Sequence, residues 1–217
     1  MTLPTDLIED VVPLGAGREL VLLRPRDAEA LLDEDVFAQR DEFIPYWADL
    51  WPSAVLLART LAGRALRGAR VLELGCGLGL PSLAAALAGG RVLATDWAPT
   101  AIEAVHLNAR RNALELEAAV VDWQDASALL ARGPWDLVIA ADVLYERRNV
   151  APLTRLLGEL DAETWLADPG RDPALALLAD LELAGWRRSD LAATRRPAVT
   201  VHRLEPRRMY ELQQTGF

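Results

Sequence analysis

The chain has 217 residues, 52% of them hydrophobic, and carries 32 Asp and Glu against 23 Lys and Arg, a formal net charge of −9. That length holds one sizeable core and is short for two, and the acidic balance repels phosphate backbones, so a basic protein segment or a small molecule is a better partner than nucleic acid. The lone Cys76 excludes an internal disulfide, no apolar run reaches the roughly 20 residues of a membrane span, and MTLPTDLIEDVV lacks a signal-peptide pattern, so a cytoplasmic protein with no membrane association is expected.

In chain order, ELVLLRP (19–25) reads as an added strand and PSAVLLARTLAGRAL (52–66) as a helix with Pro52 in its first turn. From there short β-like runs alternate with longer helical ones. The strand runs are ARVLEL (69–74), RVLATD (91–96), AAVVDW (118–123), WDLVIAAD (135–142), ETWLADP (163–169), AVTVHRLE (198–205) and, more weakly, GWRRSDL (185–191). The helical runs are LPSLAAALAG (80–89), PTAIEAVHLNARRN (99–112), VAPLTRLLGEL (150–160) and DPALALLADLELAG (172–185). The second of these places Ile102, Val105 and Ala109 on one face and stops at Asn112; the last opens on Asp-Pro and closes on Gly185. Such alternation predicts an α/β fold, a mostly parallel sheet with helices on both faces. A single domain is expected, with residues 1–50 an N-terminal extension or cap, 51–205 the core and 206–217 a tail that is a short helix or frayed.

The first strand run ends in Gly75, Gly77 and Gly79 and then opens a helix, which presents free backbone N–H groups and lets a ligand approach closely. The spacing G-x-G-x-G differs from the dinucleotide fingerprint, which needs glycine where Leu80 stands, and LGLPS lacks the lysine of a P-loop. Glu73, two residues before the first glycine, is a poor neighbour for pyrophosphate and a good one for a ligand bearing an ammonium and a sulfonium. These residues resemble the first motif of the class I S-adenosylmethionine-dependent methyltransferases, E/D-x-G-x-G-x-G, which implies a Rossmann-like seven-stranded sheet. The resemblance implies that Asp96 holds the ribose hydroxyls of S-adenosylmethionine and Asp122 the adenine amino group, with Trp97 and Trp123 stacking beside the base. Cys76 and Ala141 complete the expected cofactor-binding set; nothing near Cys76 supplies a base, so it is read as a small filler rather than a nucleophile. No metal is expected.

The acceptor side rests on AADVLYE (140–146), which puts Asp142 at the carboxyl end of the fourth strand run and Tyr145 three residues on. The prolines of the N/D-P-P-Y/F motif of amide- and nucleobase-methylating enzymes are absent. Asp-x-x-Tyr instead resembles the seven-β-strand protein lysine methyltransferases, as do YWADLWPSAVLLARTL (46–61) and LADPGR (166–171), and the P-Y/F-W-A…W-P run is similar to the group related to the electron-transfer-flavoprotein β-subunit lysine methyltransferase. The resemblance implies that Trp51, and secondarily Trp47, lines the cofactor pocket, and that the methyl acceptor is a lysine of a protein substrate, with S-adenosylhomocysteine as product. Lysine must react as the neutral amine, against a solution pKa near ~10.4, so partial desolvation and a positioning role for Asp142 are expected, with Tyr145 offering a ring and a hydroxyl. A small-molecule N- or O-methyltransferase with the first ~45 residues as a lid, or a cofactor-binding scaffold without turnover, are the alternatives. A monomer is the default.

Overall fold

The computed structural model describes residues 3–28, 31, 45–125 and 127–207 of the chain. It opens on an antiparallel hairpin, β1 (Leu7–Gly15) and β2 (Arg18–Pro25). After a short 3-10 turn at Tyr46–Ala48 come α1 (Pro52–Ala62), β3 (Arg70–Leu74), α2 (Leu80–Leu87), β4 (Arg91–Asp96), α3 (Pro99–Arg111), β5 (Glu117–Val120), α4 (Ser127–Ala131) and β6 (Leu137–Ala141). A 3-10 turn at Arg147–Asn149 then leads to α5 (Val150–Leu160), β7 (Thr164–Asp168), α6 (Asp172–Leu183), β8 (Arg187–Arg195) and β9 (Ala198–Glu205).

β3 to β9 form one seven-stranded sheet in the order β5-β4-β3-β6-β7-β9-β8. The first five in that order are parallel, and β9 and β8 add an antiparallel edge. The central parallel strands are covered on both faces, which is why they read as unbroken apolar runs. Leu72, Leu74, Val138, Ala140 and Leu166 share a core with Leu153 and Leu157 of α5 and Leu177 and Leu181 of α6. The alternate residues Val71, Ile139, Trp165 and Ala167 pack on the other face with Leu57 and Leu61 of α1 and Leu83 of α2. From β3 the chain runs outward to β4, whereas from β6 it runs the other way to β7. That reversal leaves a crevice beyond the carboxyl ends of β3 and β6, where open α/β sheets bind ligands.

The hairpin is joined to this body by its buried face. Val12 and Leu14 of β1 and Leu20 and Leu22 of β2 enter the core of α1. The outer edge of β2 is closed by Asn108 of α3 and by Asn112, which caps that helix: Asn112 Oδ1 accepts from Val21 N–H (2.9 Å) and its Nδ2 donates to Val21 O (2.7 Å), while Asn108 does the same for Leu23 (2.7 and 3.2 Å).

The expected elements appear with shifted ends. α1 stops at Ala62 rather than 66, β8 runs on to Arg195, and β5 ends at Val120, so Asp122 lies two residues past its strand. β1 and the short α4 were not anticipated, because β1 alternates only weakly, with acidic residues and Pro13 on or beside its exposed face. Residues 29–30, 32–44 and 208–217, which carry part of the expected cap and nearly all of the expected tail, lie outside the described residues.

Candidate active site

The crevice at the sheet's carboxyl edge has a volume of about 280 Å³, and its floor is the turn that follows β3. Cys76 N–H donates to Thr95 O of β4 (2.9 Å) and Gly79 N–H to Cys76 O (2.7 Å), which fastens the turn to the next strand and closes it on itself. Gly77 and Gly79 hold φ of 50° and 82°. A Cβ on Gly77 would stand 3.2 Å from Trp47 O, and one on Gly79 2.8 Å from Val105 Cγ2. The bare backbone is therefore required twice, by the left-handed geometry and by the close approach of the 46–48 turn and of α3. Cys76 is buried beneath the turn, and burial pushes its thiol well above the ordinary range, so it stays protonated and inert.

Two acids flank the turn. Glu73 Oε2 accepts from Ser82 N–H (3.0 Å) and from the Ser82 hydroxyl, tying β3 to the first turn of α2. Burial pushes this carboxyl up to about 8, with the charge of Asp96 adding to the effect. Asp96, at the end of β4, accepts from Gly77 N–H through Oδ2 (3.0 Å) and from Ala98 N–H through Oδ1 (3.0 Å). Burial raises its pKa as well, against the lowering effect of those N–H donors.

The opposite wall comes from β6 and the segment after it. Ala141 ends the strand, and Asp142 turns the chain with φ 59°, its N–H held by Ala167 O at 3.0 Å. The Asp142 carboxylate pairs through Oδ1 with Arg171 Nη1, and the same nitrogen lies 3.5 Å from Asp168 Oδ2. Asp168 Oδ1 accepts from Gly170 N–H (2.7 Å) and Arg171 N–H (2.8 Å). A carboxylate, a guanidinium and a second carboxylate thus bridge the ends of β6 and β7.

Aromatic rings form the mouth. Tyr145 and Tyr46 lie with centroids 4.7 Å apart, tilted by 48°, and Tyr46 stands 6.1 Å from Trp51, whose Nε1–H donates to Tyr46 O at 2.8 Å. Burial, then the charges of Glu146 and Asp96, push the Tyr145 hydroxyl up to about 12, so it remains a hydrogen-bond donor.

Trp51, Glu73, Gly75, Cys76, Gly77, Gly79, Asp96, Trp97, Trp123, Ala141, Asp142 and Tyr145 all line this one crevice, as does Trp47. Asp122 does not. It lies in an adjoining recess whose wall includes Trp97, Trp123 and Tyr145, with its Oδ1 accepting from Gln124 N–H (2.8 Å). Tyr46, Asp49 and Arg171 line the crevice without having been singled out. Arg171 closes the LADPGR run, but its meeting with Asp142 depends on the register of β6 against β7, in which Ala141 sits opposite Ala167.

The family profile described as lysine methyltransferase matches residues 41–165. The electron transfer flavoprotein beta subunit lysine methyltransferase of Xenopus laevis is 35% identical over 172 residues, covering 73% of this chain and 65% of that protein. Ribosomal protein L11 methyltransferase of Pseudomonas putida is 30% identical over 183 residues, 81% of this chain and 61% of its own length. This chain spans less than two thirds of the length of these curated relatives. Among solved structures, the T. thermophilus 16S rRNA N2 G1207 methyltransferase superposes with a TM-score of 0.67 at 16% identity, over 95% of this chain and 52% of that one, a likeness of fold. The matched stretch takes in more than half of the sequence and holds the Tyr46–Trp51 wall, the glycine turn and the Asp142–Tyr145 segment, and the chain belongs to the lysine methyltransferase family.

Proposed function

We propose that the chain is an S-adenosylmethionine-dependent enzyme that methylates lysine side chains of a protein substrate. The observation that carries this reading is the continuity of one crevice from Glu73, the glycine turn and Asp96 to Asp142, Tyr145 and Tyr46. The donor set fits an adenosyl sulfonium ligand. Glu73 Oε1 has no partner among the described residues, and an ammonium placed there would take over from the proton that burial keeps on this carboxyl, while the turn admits the amino-acid end where a Cβ would not fit. Asp96 takes backbone N–H groups from Gly77, Ala98 and Trp97, and its two oxygens, with about four acceptor sites between them, still have room for a ribose hydroxyl. Trp97, Trp123 and Asp122, whose Oδ2 has no partner among the described residues, suit a flat base with an exocyclic amino group.

When bound, the cofactor supplies a methyl group on a positive sulfur, which an amine lone pair takes in line as the carbon–sulfur bond breaks and its electron pair stays on sulfur. The chain's own work is to orient and dehydrate the amine. Asp142 accepts a hydrogen bond from the amine and directs its lone pair. A lone carboxylate there would hold the amine as ammonium; Arg171 offsets that charge and leaves a carboxylate that orients without protonating. The rings of Tyr46, Tyr145 and Trp51 narrow the entrance to an unbranched chain and favour a cation on its way in. The proton released from the methylated nitrogen returns to water.

The reading extends to a single-domain, monomeric, cytoplasmic enzyme acting without nucleic acid or membrane, supported by the acidic charge; no described helix is long and apolar enough to cross a membrane. The test is incubation with a cell lysate and tritiated S-adenosylmethionine. Label recovered as methyl-lysine from a protein band is the expected outcome. Label confined to small molecules would move the acceptor to that class, and none despite calorimetric binding would reduce the chain to a scaffold.

A further inference from the structure

Beside the crevice runs a groove that shares Asp49, Leu50 and Trp51 with it and is walled on the far side by Asp10, Val11 and Val12 of β1. The hairpin register fixes which backbone groups lie along it. Val21 and Leu23 turn their N–H and C=O to Asn112 and Asn108, so the pairs Val11↔Val21 and Glu9↔Leu23 are not hydrogen-bonded to each other. The amides and carbonyls of Glu9 and Val11 must then face outward from β1. Arg59 Nε donates to the next outward carbonyl, that of Pro13 (2.9 Å), and among the described residues no backbone bond reaches Glu9 or Val11 from outside the hairpin. The Val11 side chain is 56% exposed.

Asp49 stands where groove and crevice meet. Its carboxylate is exposed and has no ion pair or hydrogen bond among the described residues. The other carboxylates of the two cavities are engaged: Asp10 with Arg24, Glu73 with Ser82, Asp96 with backbone N–H groups and Asp142 with Arg171.

We propose that an extended, lysine-bearing segment of the substrate protein adds to the outer edge of β1 and delivers its lysine past Asp49 into the crevice. The proposal rests on the protein-lysine reading above and names the surface that reading lacks. Edge addition supplies affinity through main-chain hydrogen bonds whatever the local sequence, and specificity comes from the alternate side chain that points at Asp49 and Trp51. Asp49 attracts the ammonium at the mouth, where water still solvates it, and is left behind when the side chain moves inward. Its negative charge therefore steers the lysine without holding it protonated at the point of transfer.

The test compares initial rates of protein labelling by tritiated S-adenosylmethionine, over a range of lysate concentrations, for the wild type and for Val11→Pro, Val11→Lys, Asp49→Asn and Asp49→Glu. Proline at 11 removes an edge donor that the hairpin does not use, and lysine there blunts the edge. Both Val11 variants should label at least tenfold more slowly at low acceptor, with cofactor affinity within twofold of wild type by calorimetry. Asp49→Asn should lose fivefold or more and Asp49→Glu should restore most of it. Rates within twofold of wild type in folded, cofactor-binding Val11 variants overturn the proposal and leave the methyltransferase reading standing. A wild-type protein that binds cofactor and labels no protein sinks both.

Discussion

At the scale of single residues, the site depends on charges held where water would not leave them alone. Glu73 has a folded pKa of about 8 against 4.5 when free. Between these values the native chain keeps a proton that the unfolded chain has lost, so stability falls as pH rises from 4.5 to about 8 and levels off above. Glu73→Gln keeps an acceptor for Ser82 and has no proton to lose. Denaturant melts at pH 5.5 and 8.5 should show the wild type losing stability relative to this variant; a parallel pair of curves would contradict the assignment. Asp142 and Arg171 lead to a second expectation. Asp142→Ala should cut turnover about 100-fold or more, in the range a misplaced reactant costs, with cofactor affinity within a few fold by calorimetry. Arg171→Ala leaves the Asp142 charge bare beside the bound amine, so the rising limb of the kcat profile, which reports groups in the enzyme–substrate complex, should move to higher pH, and an unmoved profile would show that Arg171 only braces the strand ends. The positions of the acids were legible in the sequence, because Glu73 lies one residue before a strand end and Asp96, Asp122 and Asp142 at or just past one, and strand ends gather at one edge. Arg171 was not, since its partner is fixed by pairing between strands rather than by spacing along the chain.

At the scale of elements, the glycine turn and the asparagine clamp hold the site against the hairpin. Gly79 combines φ 82° with a position where a Cβ would meet Val105 Cγ2 at 2.8 Å. Gly79→Ala should therefore lose roughly 1–3 kcal/mol, seen as a lower midpoint in urea, and should weaken cofactor binding because α3 must retreat from the turn. Asn108 is fully buried, and besides serving Leu23 its Nδ2 donates to Leu78 O of the turn at 3.0 Å. Asn108→Ala leaves three backbone groups without a partner. It should cost about 1–3 kcal/mol for each group that water cannot reach, and should speed hydrogen exchange at Val21 and Leu23 above that of β3. The parallel strands were readable because burial on both faces makes them continuous apolar runs. β1 escaped notice for the opposite physical reason: an edge strand buried on one side only carries Glu9 and Asp10 in its middle, and Pro13 sits where no N–H is needed. The clamp was equally hidden, since Asn112 reads along the chain as a helix stop, and only the packing of α3 on β2 shows that it also completes a sheet edge.

At the scale of the whole molecule, the question is whether the hairpin is a lid laid on a finished domain or part of what makes the domain stable. Val12, Leu14, Leu20 and Leu22 are each at most 4% exposed and share one cluster with Leu57 and Leu61, which in turn reach Val71 and Ile139 of the central sheet. At roughly 1.5–3 kcal/mol for each fully buried side chain, those four contribute on the order of 6–12 kcal/mol before entropy, as much as the net stability of an ordinary domain. A hairpin of that weight cannot detach while the remainder stays folded, and it supplies none of the residues that line the crevice, so it acts as part of the core rather than as a movable cover. The intact chain should unfold in one heat-absorption transition with equal calorimetric and van't Hoff enthalpies, and a chain beginning at residue 27 should show no cooperative melt. S-adenosylmethionine at 100 times its dissociation constant should add about 2.7 kcal/mol, a rise of roughly 5–10 °C in Tm for a chain of this size. Two separate transitions, or a truncated chain that melts where the whole one does, would make the hairpin a detachable cap and reopen the smaller acceptors that a movable cover can enclose.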